Sequence, residues 1–267
     1  MLTIKNYVRP QTLQEAYELN QNRTHLIIGG MLWLKMQNRT VDTAIDLSDL
    51  NLNRIEEIGD EIHIGAMVTL RQLERSELLN QYTENAFQES VRHIVGVQFR
   101  NLATVGGSLF GRYGFSDVLT MFMALDAKVE LFNGGLVDIV DFVNMPPNRD
   151  ILVKVIIKKR PIQVAYMSQR NSQTDFPVLT CAISLMDDKY RCIIGARPLK
   201  AVCYSDEKGI LKDGLTDESI KAFCDDIASQ LVLGSNIRGS SEYRRRISKV
   251  LIKRCLLKIK GEYEYGN

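Results

Sequence analysis

Histidine is nearly absent from this chain. There are three in 267 residues, His25, His63 and His93, with neither an HxH nor an HExxH spacing among them. That excludes a histidine-built metal centre of the common hydrolase types. The five cysteines (Cys181, Cys192, Cys203, Cys224, Cys255) form no CxxC pair, which excludes zinc and iron–sulfur motifs of usual spacing. They read as buried thiols of a reducing, cytoplasmic compartment. No apolar run approaches the ~20 residues needed to cross a bilayer, and residues 1–7 form a strand-like start without the basic and apolar regions of a signal peptide. The net charge of +2 excludes a partnership with nucleic acid or membrane driven by bulk electrostatics. Also missing are the GxGxxG dinucleotide fingerprint, the GxxxxGK[ST] phosphate loop and the GxSxG nucleophile elbow. A chain with so few recognisable candidates for acid–base or nucleophilic catalysis suits an enzyme whose cofactor carries the chemistry.

What is present is an ordinary globular composition, 45% hydrophobic and 25% charged, with two Gly-Gly turns. The first follows the apolar run His25-Leu26-Ile27-Ile28 and reads Gly29-Gly30-Met31-Leu32-Trp33. The second lies in Ala103-Thr104-Val105-Gly106-Gly107-Ser108, upstream of a helix that Ser116 caps and whose apolar residues recur at helical spacing. Glycine pairs give access to positive φ and let N–H groups converge on an anion, so both turns are candidate phosphate cradles. A tight turn that only lets a strand pass close to a helix is the structural alternative.

The periodicity predicts a helix from Thr12 with Glu15 completing a capping box, a strand over 43–47, and a hairpin over 55–66 turning at Gly59-Asp60. Helices are predicted over 68–79 and 83–94. A second hairpin, 128–132 with 136–140, turns at 133–135, and a strand follows over 151–158. Beyond it, 163–169, 178–186 and 190–196 read as an antiparallel sheet, followed by helices near 216–233 and 240–260. The basic run Arg244-Arg245-Arg246, with Lys249, Lys253 and Arg254, reads as the solvated face of the last helix.

Several segments, taken in order, resemble one family. Gly29-Gly30 with Leu32 and Lys35-Met36 resembles its AGGTDLL…MK motif, and Ile64-Gly65-Ala66 with Thr69 its IGAxTT element. The run from Gln98 to Ser108 is similar to QIRNxATIGGN, Leu125-Asp126-Ala127 to the end of LLALDA, and Gly239-Ser240-Ser241-Glu242-Tyr243-Arg244-Arg245 to GSAEYRR. These are marks of the FAD-binding medium subunit of molybdenum hydroxylases, the xanthine dehydrogenase and carbon monoxide dehydrogenase type.

The resemblance implies an α+β architecture of the vanillyl-alcohol-oxidase type. Two α/β FAD-binding subdomains (1–57 and 58–160) precede a C-terminal α+β domain (161–267) with an antiparallel sheet and helices. It implies FAD as cofactor, with Leu26, Ile27, Ile28, Gly29, Gly30, Met31, Leu32 and Trp33 wrapping the pyrophosphate. Thr104, Val105, Gly106, Gly107 and Ser108 form the second loop, Asp117 accepts a hydrogen bond from the flavin nucleotide, and Ile94 and Leu152 lie against the isoalloxazine. No catalytic or metal-ligating residue is assigned. The implied partners are a molybdenum-cofactor subunit, a [2Fe-2S] subunit, and NAD+ or another electron acceptor, with a purine among the substrates oxidised on the partner. Three departures stand out. Ser108 replaces an Asn, Met31 a residue more often polar, and Met167 a Lys found in animal xanthine dehydrogenases. They motivate the alternative of a flavin-free scaffold subunit; a stand-alone flavin oxidoreductase is a third reading.

Overall fold

The computed structural model describes residues 1–263. In chain order it begins with β1 (Thr3–Val8), α1 (Leu13–Asn20), β2 (His25–Ile28), β3 (Thr40–Asp46), β4 (Ile55–Ile58) and β5 (Glu61–Gly65). Short helices follow: α2 (Leu70–Arg75), α3 (Glu77–Tyr82), α4 (Ala86–Val91), α5 (Val97–Arg100) and α6 (Val105–Leu109), then α7 (Asp117–Ala124). Next come β6 (Lys128–Leu131), β7 (Gly135–Asp138), α8 (Ile139–Asn144) and β8 (Leu152–Lys158). The chain closes with β9 (Ile162–Arg170), β10 (Pro177–Met186), β11 (Lys189–Gly195), β12 (Val202–Ser205), α9 (Asp217–Gln230) and α10 (Ser241–Lys260). These elements belong to two units, each discontinuous in sequence. The first takes 1–72, 96–111 and 127–159; the second takes 73–95, 112–126 and the chain from 160 onward.

The first unit holds two sheets. In the smaller, β3 lies between β1 and β2 and is parallel to both. Its cover is α1, whose Ala16 is buried with Ile45 and Leu47. Thr12 caps α1 by accepting from the Glu15 amide, as the sequence predicts. The Glu15 carboxylate, however, takes the amide of Gln11 rather than of Thr12, a box displaced by one residue. The larger sheet has the order β4-β5-β8-β6-β7 and is antiparallel throughout. Its first hairpin turns at Gly59, whose φ of +62° is the left-handed conformation that favours glycine. The second hairpin is shorter than the alternation predicts. The chain turns helical after Asp138, so Ile139, Phe142 and Val143 are buried on one face of α8.

In the second unit an antiparallel sheet, β12-β11-β10-β9, is covered on one side by α10 and α9 and on the other by α4 and α7. Every residue of α7 is buried. At roughly 1.5–3 kcal/mol for each large apolar side chain removed from water, Val118, Leu119, Met121, Phe122 and Met123 make this short helix a main anchor of its unit. The helix expected over 68–79 is interrupted and the one expected over 83–94 is shortened at both ends. Ser76 accepts from the Leu79 amide and so starts α3 afresh after α2, while Glu84 and Asn85 adopt positive φ just before α4. A hydroxyl that can cap competes with helix continuation, and a hydrophobic period cannot register it.

Arg244 corrects the reading of the basic run. It is fully buried, and its guanidinium donates to the carbonyls of Val178 (2.8 Å), Gly234 (2.9 Å) and Gly239 and to Asn236 Oδ1 (2.7 Å). Arg245 donates to the carbonyls of Ala228 and Leu231 at the end of α9, whereas Arg246 stays exposed beside Glu242. Arg244→Met should strand several buried carbonyls, each costing ~1–3 kcal/mol. The expected outcome is a Tm at least about 6 °C lower by calorimetry, at 2–4 °C per kcal/mol for a protein of this size; an unchanged Tm would contradict this account.

All five cysteines are free thiols. Burial pushes the Cys224 thiol up to about 12 and that of Cys181 well above its ordinary range, and contact with Cys181 together with burial does the same for Cys192. The thiolate is the reactive form. Native protein at pH 8 should therefore be alkylated at Cys203 at most, with all five labelling in denaturant; mass spectrometry showing two or more rapidly labelled native sites would refute it.

Candidate functional site

Three stretches far apart in sequence converge in the first unit: the loop after β2, the residues after β5, and the segment leading into α6. The Ala103–Gly106 segment is fastened to 66–70 like an added strand. Leu70 N donates to Ala103 O (2.8 Å), Val105 N to Val68 O (2.8 Å) and Gly106 N to Ala66 O (2.7 Å). Against it sits the first glycine pair. A Cβ on Gly30 would lie 1.9 Å from Leu102 O, and one on Gly29 2.7 Å from Thr104 Oγ1. Gly106 likewise would press on Ala66, with its carbonyl oxygen at 3.0 Å. The glycines are thus required for close approach of loop to loop.

The conformations differ from those expected of phosphate cradles. None of Gly29, Gly30, Gly106 and Gly107 has positive φ; in this region it is Met31 that does, at +57°. The amides of the second turn are already in use. Gly106 N is taken by Ala66 O, Gly107 N by the Thr104 side chain (3.1 Å) and Ser108 N by Thr104 O (3.0 Å). Thr104 is the N-cap of α6, and its backbone carbonyl also accepts from Ser108 Oγ (2.9 Å). In the first turn the situation is reversed. Among the described residues, the amides of Gly29, Gly30, Met31 and Leu32 have no protein acceptor.

A cleft of about 120 Å³ opens at this junction, far more than the ~10–15 Å³ needed by a water, lined by Ile27, Ile28, Gly29, Thr104, Gly106 and Gly107 among others. Leu152, buried at the start of β8, is part of its wall, as are Phe110 and Met67, which the sequence reading did not single out. Asp150 also lines it, but its carboxylate is consumed by the amides of Asn133, Gly134 and Ile151. Leu26 lies on β2; Leu32 and Trp33 follow in the loop, Trp33 half-exposed with its ring edge-on to Phe99 at 5.9 Å. Val105 is buried in α6. Among the described residues, no three metal-ligating side chains cluster.

Two of the sequence-predicted site residues belong to the second unit. Ile94 is half-buried just past the end of α4. Asp117 opens α7, where Ser116 caps the helix by accepting from the Leu119 amide (3.1 Å). Asp117 is 5% exposed, and its carboxylate Oδ1 accepts from both the Tyr166 hydroxyl and Arg170 Nη2. Burial pushes this carboxyl above the ordinary carboxylate range, opposed by Arg170 and by the Tyr166 hydrogen bond. Burial also tends to lower the Arg170 guanidinium, but Asp117 and Tyr166 more than reverse that and leave it raised. Met167, one residue from Tyr166, points the other way into the apolar core among Leu179, Cys181 and Phe223. A lysine at that register would face hydrocarbon, so the missing cation does not bear on Asp117.

The second unit also contains a larger aromatic cleft, about 320 Å³, which the sequence reading missed altogether. Tyr113 and Phe115 stack at 5.2 Å, Phe176 meets Phe115 edge-on at 4.8 Å, and the Arg238 guanidinium lies over Phe176 at 4.8 Å. Only the clustering of Tyr113 and Phe115 before the Ser116 cap hinted at it.

The glycine contacts make a sharp prediction. Gly30→Ala forces Leu102 backbone to move, whereas Gly107→Ala meets only the Thr104 hydroxyl at 3.2 Å. Thermal melts of the ligand-free protein should show a large loss for the first and at most about 1 kcal/mol for the second; equal losses would disprove the close-approach argument.

Comparison with known proteins agrees with the geometry. Residues 2–159 match the model for the FAD binding domain in molybdopterin dehydrogenase, and 164–259 match the CO dehydrogenase flavoprotein C-terminal domain. The chain is 28% identical to the uncharacterized protein YgfM of Escherichia coli K12, covering 93% of this chain and 94% of that one. It is 26% identical to the nicotine 6-hydroxylase medium subunit of Paenarthrobacter nicotinovorans, covering 94% and 95%. A solved carbon monoxide dehydrogenase from Hydrogenophaga pseudoflava shares the fold at a TM-score of 0.87, with 20% identity over 97% of this chain and 98% of that chain. The chain therefore belongs to the family of FAD-binding domains in molybdopterin dehydrogenases, as an oxidoreductase subunit of the molybdenum hydroxylase type that binds FAD.

Proposed function

We propose that this subunit relays electrons within a molybdenum hydroxylase complex, receiving them from a [2Fe-2S] partner and passing them to NAD+ or another soluble acceptor. The observation that carries the reading is the run of unspent amides at Gly29–Leu32 beside a cleft, held in place by the second glycine turn. Unpaired N–H groups in a concave backbone suit the oxygens of a pyrophosphate. In this reading residues 26–33 grip the pyrophosphate and Thr104–Ser108 act chiefly as the buttress that shapes that grip. Leu152 and Ile94 supply apolar contacts, and Asp117 accepts a hydrogen bond from the flavin nucleotide.

Bound FAD supplies the exchange between one-electron and two-electron carriers. The chain's own part is binding, orientation and exclusion of water, which fits the absence of a recognisable catalytic acid–base motif in its sequence. Substrate oxidation would then take place on the molybdenum subunit, with a purine as the substrate suggested by the resemblance to xanthine dehydrogenases. The aromatic cleft of the second unit suits a flat nicotinamide or similar ring, with Arg238, which also pairs with Asp175 at 3.4 Å, in its lining for an anionic group.

The test is to purify the complex natively and read its spectrum and composition. Flavin absorbance with a molybdenum chain and a cluster chain co-purifying is the expected result; a colourless chain that takes up no FAD on reconstitution would overturn the reading. In the same complex, Arg238→Ala should raise the KM for a nicotinamide acceptor several-fold at unchanged FAD content. An unchanged KM would remove that cleft from the electron path.

A further inference from the structure

Two donors meet on one oxygen of a buried carboxylate. The Tyr166 hydroxyl and Arg170 Nη2 both donate to Asp117 Oδ1. Arg170 is in turn held by the carbonyl of Asp175 and, through Nε, by Ser168 Oγ at 3.3 Å. Tyr166, Ser168 and Arg170 alternate along β9 with Met167, so one face of the strand serves Asp117 and the other the core. Asp117 Oδ2 has no side-chain donor among the described residues.

A purely structural role accounts poorly for this arrangement. The helix N-terminus is already capped by Ser116, so Asp117 is not needed to close α7. Burying an ion pair gains little over apolar packing, and breaking one is costly. A carboxylate with both side-chain donors on one oxygen, and otherwise only its own backbone amide beside it, fits an acceptor prepared for a ligand better than a strut.

We propose that Tyr166 and Arg170 are positioning residues for FAD. They hold Asp117 ionised and in one orientation, so that Oδ2 accepts from the cofactor. The inference rests on the reading of Asp117 as a flavin contact, and the experiment separates the two.

Flavin-stripped protein is titrated with FAD across pH 5–9, for wild type, Asp117→Asn, Tyr166→Phe, Arg170→Met, Arg170→Lys and the Asp117→Asn/Arg170→Met pair, with an apo melt of each. Asp117→Asn should weaken FAD binding by roughly ten- to a hundred-fold, the range for a hydrogen bond to a charged group. Tyr166→Phe should weaken it by about three- to ten-fold. Arg170→Met should make binding pH-dependent, because a buried carboxyl without its cation takes up a proton more readily and the ionised acceptor returns only as pH rises. FAD affinity should then increase with pH in Arg170→Met, while Arg170→Lys restores the flat profile and the double variant lacks the pH dependence. If Asp117→Asn binds FAD like wild type, the flavin contact itself fails and the inference with it. If Asp117→Asn is weak while Tyr166→Phe and Arg170→Met bind normally with flat profiles, the contact stands and the positioning role is refuted. Should Arg170→Met give no cooperative melt, Tyr166→Phe decides: normal binding refutes the positioning role, weakened binding supports it.

Discussion

The first unit depends on a contact between two backbones. Gly30 lies so near the Leu102 carbonyl that no side chain fits between them, and Gly29 packs on the Thr104 hydroxyl. Each loop thereby restrains the other. The second is bolted by three backbone hydrogen bonds to residues 66–70, which continue from β5 of the larger sheet. The loop after β2, whose strand belongs to the smaller sheet, then docks on that bolted segment. What results is a fixed backbone curve with donors to spare. Preorganised donors cost no reordering when an anion arrives, which is how a structure without charged ligands at a site can still bind a doubly anionic group.

A different constraint governs the second unit. The all-buried α7 opens with an acidic side chain, and a phenol and a guanidinium reaching it from β9 offset the cost of burying its charge. The helix dipole adds a smaller favourable effect, ~0.3–1 kcal/mol for an anion in the first turn. Arg244 presents the same problem with opposite sign and solves it with carbonyls, tying α10 to β10 and to the 234–239 loop. Both are charges whose removal strands buried partners.

What could be read from the sequence, and what could not, follows from the range of the interactions. The hairpin at Gly59-Asp60 and the Thr12 and Ser116 caps are local signals, and each stands where the sequence puts it, whereas Gly106-Gly107 form the first turn of α6 rather than a turn of their own. The break at Ser76 escaped because the apolar period runs on through it, and the late start of α4 because the positive φ of Glu84 and Asn85 leaves no mark on the hydrophobic pattern. Arg244 was misread because helical spacing distinguishes faces but not the carbonyls that a neighbouring strand and loop will present. That Gly29-Gly30 rests on Leu102–Thr104 is a contact between distant segments, which the sequence shows only as two separate glycine pairs, each open to reading as a phosphate cradle or a tight turn. The aromatic cleft is of the same kind, drawing Tyr113, Phe176 and Arg238 from separate segments.

The three departures from the family pattern can now be weighed by what each side chain touches. Met31 sits in a loop whose contribution comes from backbone amides, and its positive φ sets their direction whatever side chain it carries. Ser108 spends a hydrogen bond on the carbonyl of Thr104, the N-cap of α6. Met167 faces the core, on the side of β9 away from Asp117. None of the three removes a donor that the proposed reading gives to the cofactor. The case for a flavin-free scaffold was built on these substitutions, and their positions take away its basis. The features that matter for an anion, the two glycine contacts and the open amides between Gly29 and Leu32, are intact.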